Sequence, residues 1–216
     1  MVSDSLQVRG TPASGKTRLA QLLAQYIILQ EPASHVIWVG TWPLEEVKEL
    51  GGYDSYLRNK KGWVEGKATV FIFDEAQVSY EDSDLWISFF RSMHDYKDRR
   101  AIVFASYGSP GSRIIMRGTP IQLNDSQRVT LRPIPHQDGL QPAGLFFTRM
   151  EFDDLISKRY PDALYSFDSS FFDAVFDLTG GHIGAICDFV EIIAAHDVGP
   201  LYVDRSSDLT HISVVS

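Results

Sequence analysis

Gly10-Thr11-Pro12-Ala13-Ser14-Gly15-Lys16-Thr17 is the stretch on which the reading of this chain turns. It fits the pattern G-x-x-x-x-G-K-[ST], and the strand-like Leu6-Gln7-Val8-Arg9 leads into it. Glycines at both ends let a backbone wind around a phosphate without Cβ clashes, so that loop N–H groups and a helix N-terminus converge on the anion. In that pattern Thr11, Pro12, Ala13 and Ser14 supply loop backbone, Lys16 reaches the β- and γ-phosphates, and the Thr17 hydroxyl ligates Mg²⁺, with Arg18 in the first helical turn. An ordinary glycine turn would also have to tolerate a lysine at a helix N-terminus, where the dipole repels cations unless an anion is bound. Leu19, Leu22, Leu23, Tyr26 and Ile27 recur at helical spacing and are expected to form the buried face of the helix that follows.

Working outward, strands alternate with helices. Val36-Ile37-Trp38-Val39 lies in a strand expected over 35–40, a mixed helical and loop stretch runs from Leu44 to Gly66, and the apolar run Ala68–Phe73 reads as a buried strand. A helix over Ser83–His94 carries Leu85, Trp86, Phe89, Phe90 and Met93 on one side, and the strand Ala101–Ala105 follows it. Such alternation implies a parallel sheet. Residues 107–120 are rich in Gly, Ser and Pro and read as a long, functional loop. After a further strand at Gln127–Arg132 the period changes, and helices are expected over Arg149–Tyr160, Ser169–Leu178 and His182–Ala195. The expected organisation is an α/β core over 1–146, a small helical lid over 147–200, and a tail over 201–216.

Val70-Phe71-Ile72-Phe73-Asp74-Glu75 is the second chemical signal, a hydrophobic strand ending in two carboxylates. Open α/β sheets bind ligands at the carboxyl ends of their strands, which brings Asp74 beside the phosphate loop to hold Mg²⁺ through water. Neighbouring strand residues diverge, so Glu75 is expected to polarise a water for attack on the γ-phosphate. That favours hydrolysis over transfer to a small molecule, the reading of a kinase. In the additional-strand class of P-loop NTPases the next strand inserts between these two, giving the order 5-1-4-3-2 and a three-layer α/β/α core. Ser106, with Tyr107 as runner-up, then becomes a polar sensor, or merely caps a strand end. Arg99 and Arg100 precede that strand at the far edge. Arg113 and Arg117 follow it and are candidates for an arginine finger, in cis or toward a neighbouring subunit, with solvated loop arginines as the alternative.

Gly10–Thr17, Phe71-Ile72-Phe73-Asp74-Glu75-Ala76-Gln77, the segment Phe146-Phe147-Thr148-Arg149-Met150-Glu151-Phe152-Asp153-Asp154, and Leu178-Thr179-Gly180-Gly181-His182-Ile183-Gly184-Ala185 together resemble the P-loop ATPase domain of Crinkler-type proteins of fungi and oomycetes. More broadly they are similar to AAA+/STAND NTPases. The Thr-Gly-Gly-His-x-Gly turn opening a lid helix is the more discriminating piece. Related lids carry an arginine near this turn, where this chain has Ile183, Gly184 and Ala185. His182 is a candidate substitute toward the phosphates, or a cap on its own helix. The resemblance implies Mg-dependent ATP binding and slow hydrolysis coupled to a conformational change. A nucleotide-dependent switch or scaffold with negligible hydrolysis is the alternative. It further implies ATP and ADP as ligands, self-association through the nucleotide site, a multidomain parent whose other modules engage protein or nucleic acid, and secretion into a host cell with nuclear action. The start shortly before the first strand suggests an excised domain or truncated gene product.

Composition limits other readings. The 216 residues have 44% apolar content and a formal charge of −8, which argues against a surface that coats nucleic acid. No run approaches the roughly 18 apolar residues of a membrane span. Cys187 is the single cysteine and, in register with Ile183, Ile186, Val190 and Ile193, is expected to be a buried core thiol. Arg58, Lys60, Lys61 and Lys67 interleave with Tyr53, Tyr56 and Trp63 as the one basic and aromatic patch, better explained as a solvated loop beside core aromatics. Trp38 and Trp42 read as packing residues, and His35, His94, His136, His196 and His211 lack metal-ligand spacing.

Overall fold

The computed structural model describes residues 5–80, 82–106, 127–133, 143–161 and 167–195. The chain separates into two compact units, Met1–Leu145 and Phe146–Ser216. In the first unit β1 (Ser5–Gly10), β2 (His35–Val39), β3 (Thr69–Phe73), β4 (Arg99–Ser106) and β5 (Arg128–Val129) form one sheet in the order β2-β3-β4-β1-β5. All pairings are parallel. Read from the other edge, this is the expected order 5-1-4-3-2. Gly10 lies opposite Ser106, and Phe73 opposite Val103 on one side and Val39 on the other.

Parallel strands covered on both faces need apolar residues at every position, and β3 is buried throughout. Its side chains divide with a period of two. Phe71 and Phe73 join one core with Tyr53, Tyr56 and Leu57 of α3 (Tyr53–Lys61) and Val47 of α2 (Leu44–Glu49). Val70 and Ile72 join the other core with Ala20 and Ile27 of α1 (Lys16–Gln30). The first core is aromatic, with Phe73 and Phe89 in edge-to-face or stacked contact with each other and each with both Phe71 and Phe90.

Several expectations are corrected. Helix α1 buries Lys16, Ala20 and Ile27, with Leu23 and Ala24 against the core, whereas Leu22 and Tyr26 are 60% and 62% exposed and Leu19 and Leu29 are also exposed. Both stripes are apolar, and the face carrying two alanines is the one that packs on the strands. The segment expected as one helix over Ser83–His94 is a π turn (Asp84–Phe89), a short α4 (Phe90–Ser92) and a 3₁₀ turn (Met93–Asp95). Leu85, Trp86, Phe89, Phe90 and Met93 are nonetheless all buried. β4 begins at Arg99 rather than Ala101, so Arg99 and Arg100 belong to the strand. Arg99 is only 2% exposed, with its guanidinium 3.6 Å from the Tyr96 ring centre, 4.4 Å from that of Trp63, and 3.7 Å from Glu65. Arg100 pairs with Glu31. In the basic and aromatic patch Tyr53, Tyr56 and Trp63 are core residues, as its favoured reading has it, but Arg58, Lys60 and Lys61 lie on α3 rather than in a loop, with Arg58 and Lys60 paired to Glu65 and Glu46.

The second unit holds α5 (Arg149–Arg159), α6 (Ser169–Thr179) and α7 (Ile183–Ala195), packed around Phe152, Ile156, Phe171, Phe172, Val175, Ile186 and Val190. Cys187 is half-buried at the margin of this core, not inside it. Helix α5 opens with a reciprocal cap: Thr148 Oγ1 accepts from the Glu151 N–H at 3.3 Å, and the Glu151 carboxylate accepts from the Thr148 N–H at 2.7 Å. Thr148→Ala is expected to cost about 1 kcal/mol in urea unfolding, and an unchanged midpoint would count against this cap.

Gly180 and Gly181 between α6 and α7 both have positive φ, +58° and +87°. Gly180 ends α6 in the left-handed conformation, its N–H bonded to Phe176 O. Gly181 has a second constraint, because an added Cβ would lie 2.3 Å from Phe147 O. Gly181→Ala therefore combines backbone strain with a backbone clash and is expected to cost roughly 2 kcal/mol, read as a lower urea midpoint by circular dichroism. Among the described residues no helix is long and apolar enough to cross a membrane.

Candidate functional site

The loop from β1 to α1 is built by three local constraints. Gly10 ends β1 where an added Cβ would sit 2.6 Å from Ser14 Oγ and 2.4 Å from Leu145 Cδ1, so a larger residue would displace both side chains. Ala13 and Gly15 then take positive φ, +58° and +83°, curling the chain before the helix. Thr11 O closes the curl, accepting from Ser14 Oγ at 2.8 Å and from Lys16 Nζ at 2.7 Å. Gly15 is the N-cap of α1 and, being glycine, offers no side-chain cap to the first-turn N–H groups. A cleft of about 410 Å³ opens here, lined by residues 13–18 and Gln21. Thr17 and Arg18 are thus on the cleft, and Arg18 donates to Gln21 Oε1 at 2.8 Å. Thr11 and Pro12 form the turn beside it.

Lys16 is 5% exposed at the first position of α1. Burial pushes its ammonium below the ordinary lysine range, and the nearby Glu75 and Asp74 carboxylates pull it back up. A buried cation at a helix N-terminus, within electrostatic reach of two carboxylates, is the arrangement that an anion with an accompanying divalent cation would complement.

Asp74 follows β3 and is also 5% exposed. Its backbone is fixed on both sides, the N–H donating to Val39 O at 2.9 Å and the carbonyl accepting from Trp42 Nε1 at 2.9 Å. Its Oδ1 accepts the Glu75 N–H at 3.0 Å. Glu75 is exposed and left-handed, φ +51°, where the chain turns into the 3₁₀ turn Ala76–Ser79. Ser106, the last residue of β4, is buried and donates its N–H to Gln77 Oε1 at 2.9 Å. Gln77 in turn donates its amide N–H to Glu75 Oε2.

The structure therefore groups Gly10, Gly15, Lys16, Asp74, Glu75 and Ser106 at the carboxyl ends of β1, β3 and β4. Arg113, Arg117 and Tyr107 lie outside the described residues. His182 sits in the second unit, where Nδ1 accepts the Ala185 N–H at 3.2 Å and the ring lies edge-on to Phe146 at 5.5 Å. Of its two expected roles, this geometry supplies the helix cap. Sequence reasoning missed Gln77, Gln21 and the Trp42 bond to Asp74. Gln77 was legible as a polar residue two places beyond Glu75, whereas Gln21 follows Arg18 by one helical step.

Among the described residues no group of three or more His, Cys, Asp or Glu side chains could hold a metal ion by itself. A Mg²⁺ here would be shared between Thr17, Asp74 and phosphate oxygens, which is consistent with a protein donor set of a hydroxyl and one carboxylate. Comparison with protein-family models and with curated proteins finds no match for this chain.

Proposed function

We propose that the first unit is a three-layer α/β/α P-loop NTPase domain that binds Mg-ATP at Gly10–Arg18 and hydrolyses it slowly. One observation carries this reading: Lys16, buried at the N-terminus of α1 behind the glycine N-cap Gly15, bonded across the loop to Thr11 O and within electrostatic reach of Glu75 and Asp74. Fit to the nucleotide is supported by the left-handed Gly15, the close approach of Ser14 to Gly10 across the loop, and the size of the adjoining cleft. Phosphate oxygens would take the loop N–H groups and Lys16, and Thr17 with Asp74 would hold the metal, which supplies charge neutralisation on the β- and γ-phosphates. Glu75 would accept the proton of the attacking water, so that phosphate is released to solvent.

The sequence resemblance to Crinkler-type and AAA+/STAND domains extends the proposal. In that reading the helical unit is a lid, ATP and ADP states differ in conformation, self-association uses the nucleotide site, and the output passes to a protein or nucleic-acid partner through other domains. Single-turnover phosphate release from ATP and from GTP tests it. Slow release, faster for one nucleotide, is expected. Tight binding with no release would replace the ATPase with a nucleotide-dependent switch.

A further inference from the structure

Three side-chain hydrogen bonds hold the backbone of the turn after β3. Trp42 Nε1 holds Asp74 O at 2.9 Å, Ser79 Oγ holds Ala76 O at 2.7 Å, and Trp86 Nε1 holds Ser79 O at 2.9 Å. Ala76 is fully buried between them. Glu75, by contrast, is an exposed, left-handed residue, where an unrestrained carboxylate would sample several rotamers and lose positional definition. Gln77 is the described side chain that restrains it, bonding Glu75 Oε2 with its Nε2 while its Oε1 accepts the Ser106 N–H at 2.9 Å.

From this geometry we infer that Gln77 is the positioning residue for Glu75, clamping its carboxylate to the end of β4 beside Gly10. The reading of Glu75 as the base rests on the proposed hydrolysis. A backbone N–H only donates and an ionised carboxylate only accepts, so the bridging group must offer an acceptor on one side and a donor on the other. A side-chain amide does both. Glutamate at this position would keep the bond from Ser106 but set a carboxylate against Glu75, and alanine would lose both bonds. The clamp also ties the carboxylate to β4, whose Ser106 is paired in register with Gly10 at the start of the phosphate loop. The proposed nucleotide site gives Gln77 no contact with phosphate or metal, so its loss should leave nucleotide affinity alone.

The test uses the whole chain and the variants Gln77→Ala, Gln77→Glu and Glu75→Ala, each checked for an unchanged circular dichroism spectrum. Mg-ATP affinity is expected to stay within about twofold of wild type in both Gln77 variants, while single-turnover phosphate release falls about tenfold or more in each, as expected when a reacting group loses its orientation. Full activity in Gln77→Glu with loss in Gln77→Ala would reduce Gln77 to a cap on β4 and overturn the inference. Parallel losses of affinity and rate would overturn it too. A second arm needs no turnover: in the nucleotide-free chain the NMR resonances of the Gln77 side-chain amide are expected to shift in Glu75→Ala. If wild type released no phosphate, hydrolysis would fail as a reading, and this shift alone would decide the clamp. Its absence would overturn it.

Discussion

Lys16→Ala is expected to lower Mg-ATP affinity on the order of 1000-fold, or about 4 kcal/mol, the scale of two charge-assisted hydrogen bonds lost from phosphate oxygens. The fold should survive the change. Lys16 is held by Thr11 O, but that carbonyl also accepts from Ser14 Oγ at 2.8 Å, so no buried acceptor is orphaned. Burial already works against the ammonium, and its removal takes nothing from the apolar cores. Calorimetric titration at unchanged circular dichroism reads the effect. Undiminished affinity in the variant would remove Lys16, and with it the loop, from the nucleotide site.

Glu75→Gln separates binding from chemistry. Phosphate release is expected to fall by roughly two orders of magnitude, the usual consequence of losing a general base, with nucleotide affinity nearly unchanged. The substitution is conservative in structure. Glutamine is no more strained than glutamate at φ +51°, and its side-chain oxygen can still accept from Gln77 Nε2. Quench-flow measurement under single-turnover conditions gives the rate. Equal rates in wild type and variant would assign the proton to another group.

What was legible in the sequence was whatever short-range pattern decides. The apolar run Ala68–Phe73, the glycines and lysine of the loop, and the alternation of strands with helices led to a parallel sheet, while its strand order came from likeness to the additional-strand class of P-loop NTPases. Local pattern was not enough where two answers had equal apolar content. Leu19, Leu22 and Tyr26 match a helical stripe as well as Ala20, Leu23 and Ile27 do, and only the close approach of α1 to the sheet selects the second. The π turn at Asp84–Phe89 leaves the buried set intact while changing the backbone that presents it.

Long-range contacts were out of reach. A charged residue opening a strand reads as a solvated edge, yet Arg99 is covered by Trp63, 36 positions earlier, and by Tyr96. Gln77 was visible in sequence but its acceptor role was not, since Ser106 lies 29 residues away. The same separation explains why Trp42 was read as packing alone, although its indole also fixes Asp74 from 32 residues away. His182 shows the converse. Its cap on Ala185 is local and was one of the two roles the sequence left open.

The most direct measurement is an NMR titration of the whole chain with Mg-ATP, following backbone amides. The account predicts saturable shifts, with a micromolar midpoint, at Gly15, Lys16, Thr17 and Arg18, whose N–H groups would turn to phosphate oxygens at the N-terminus of α1. Amides of this loop that stay in place up to millimolar nucleotide, or saturable shifts confined to other parts of the chain, would contradict it.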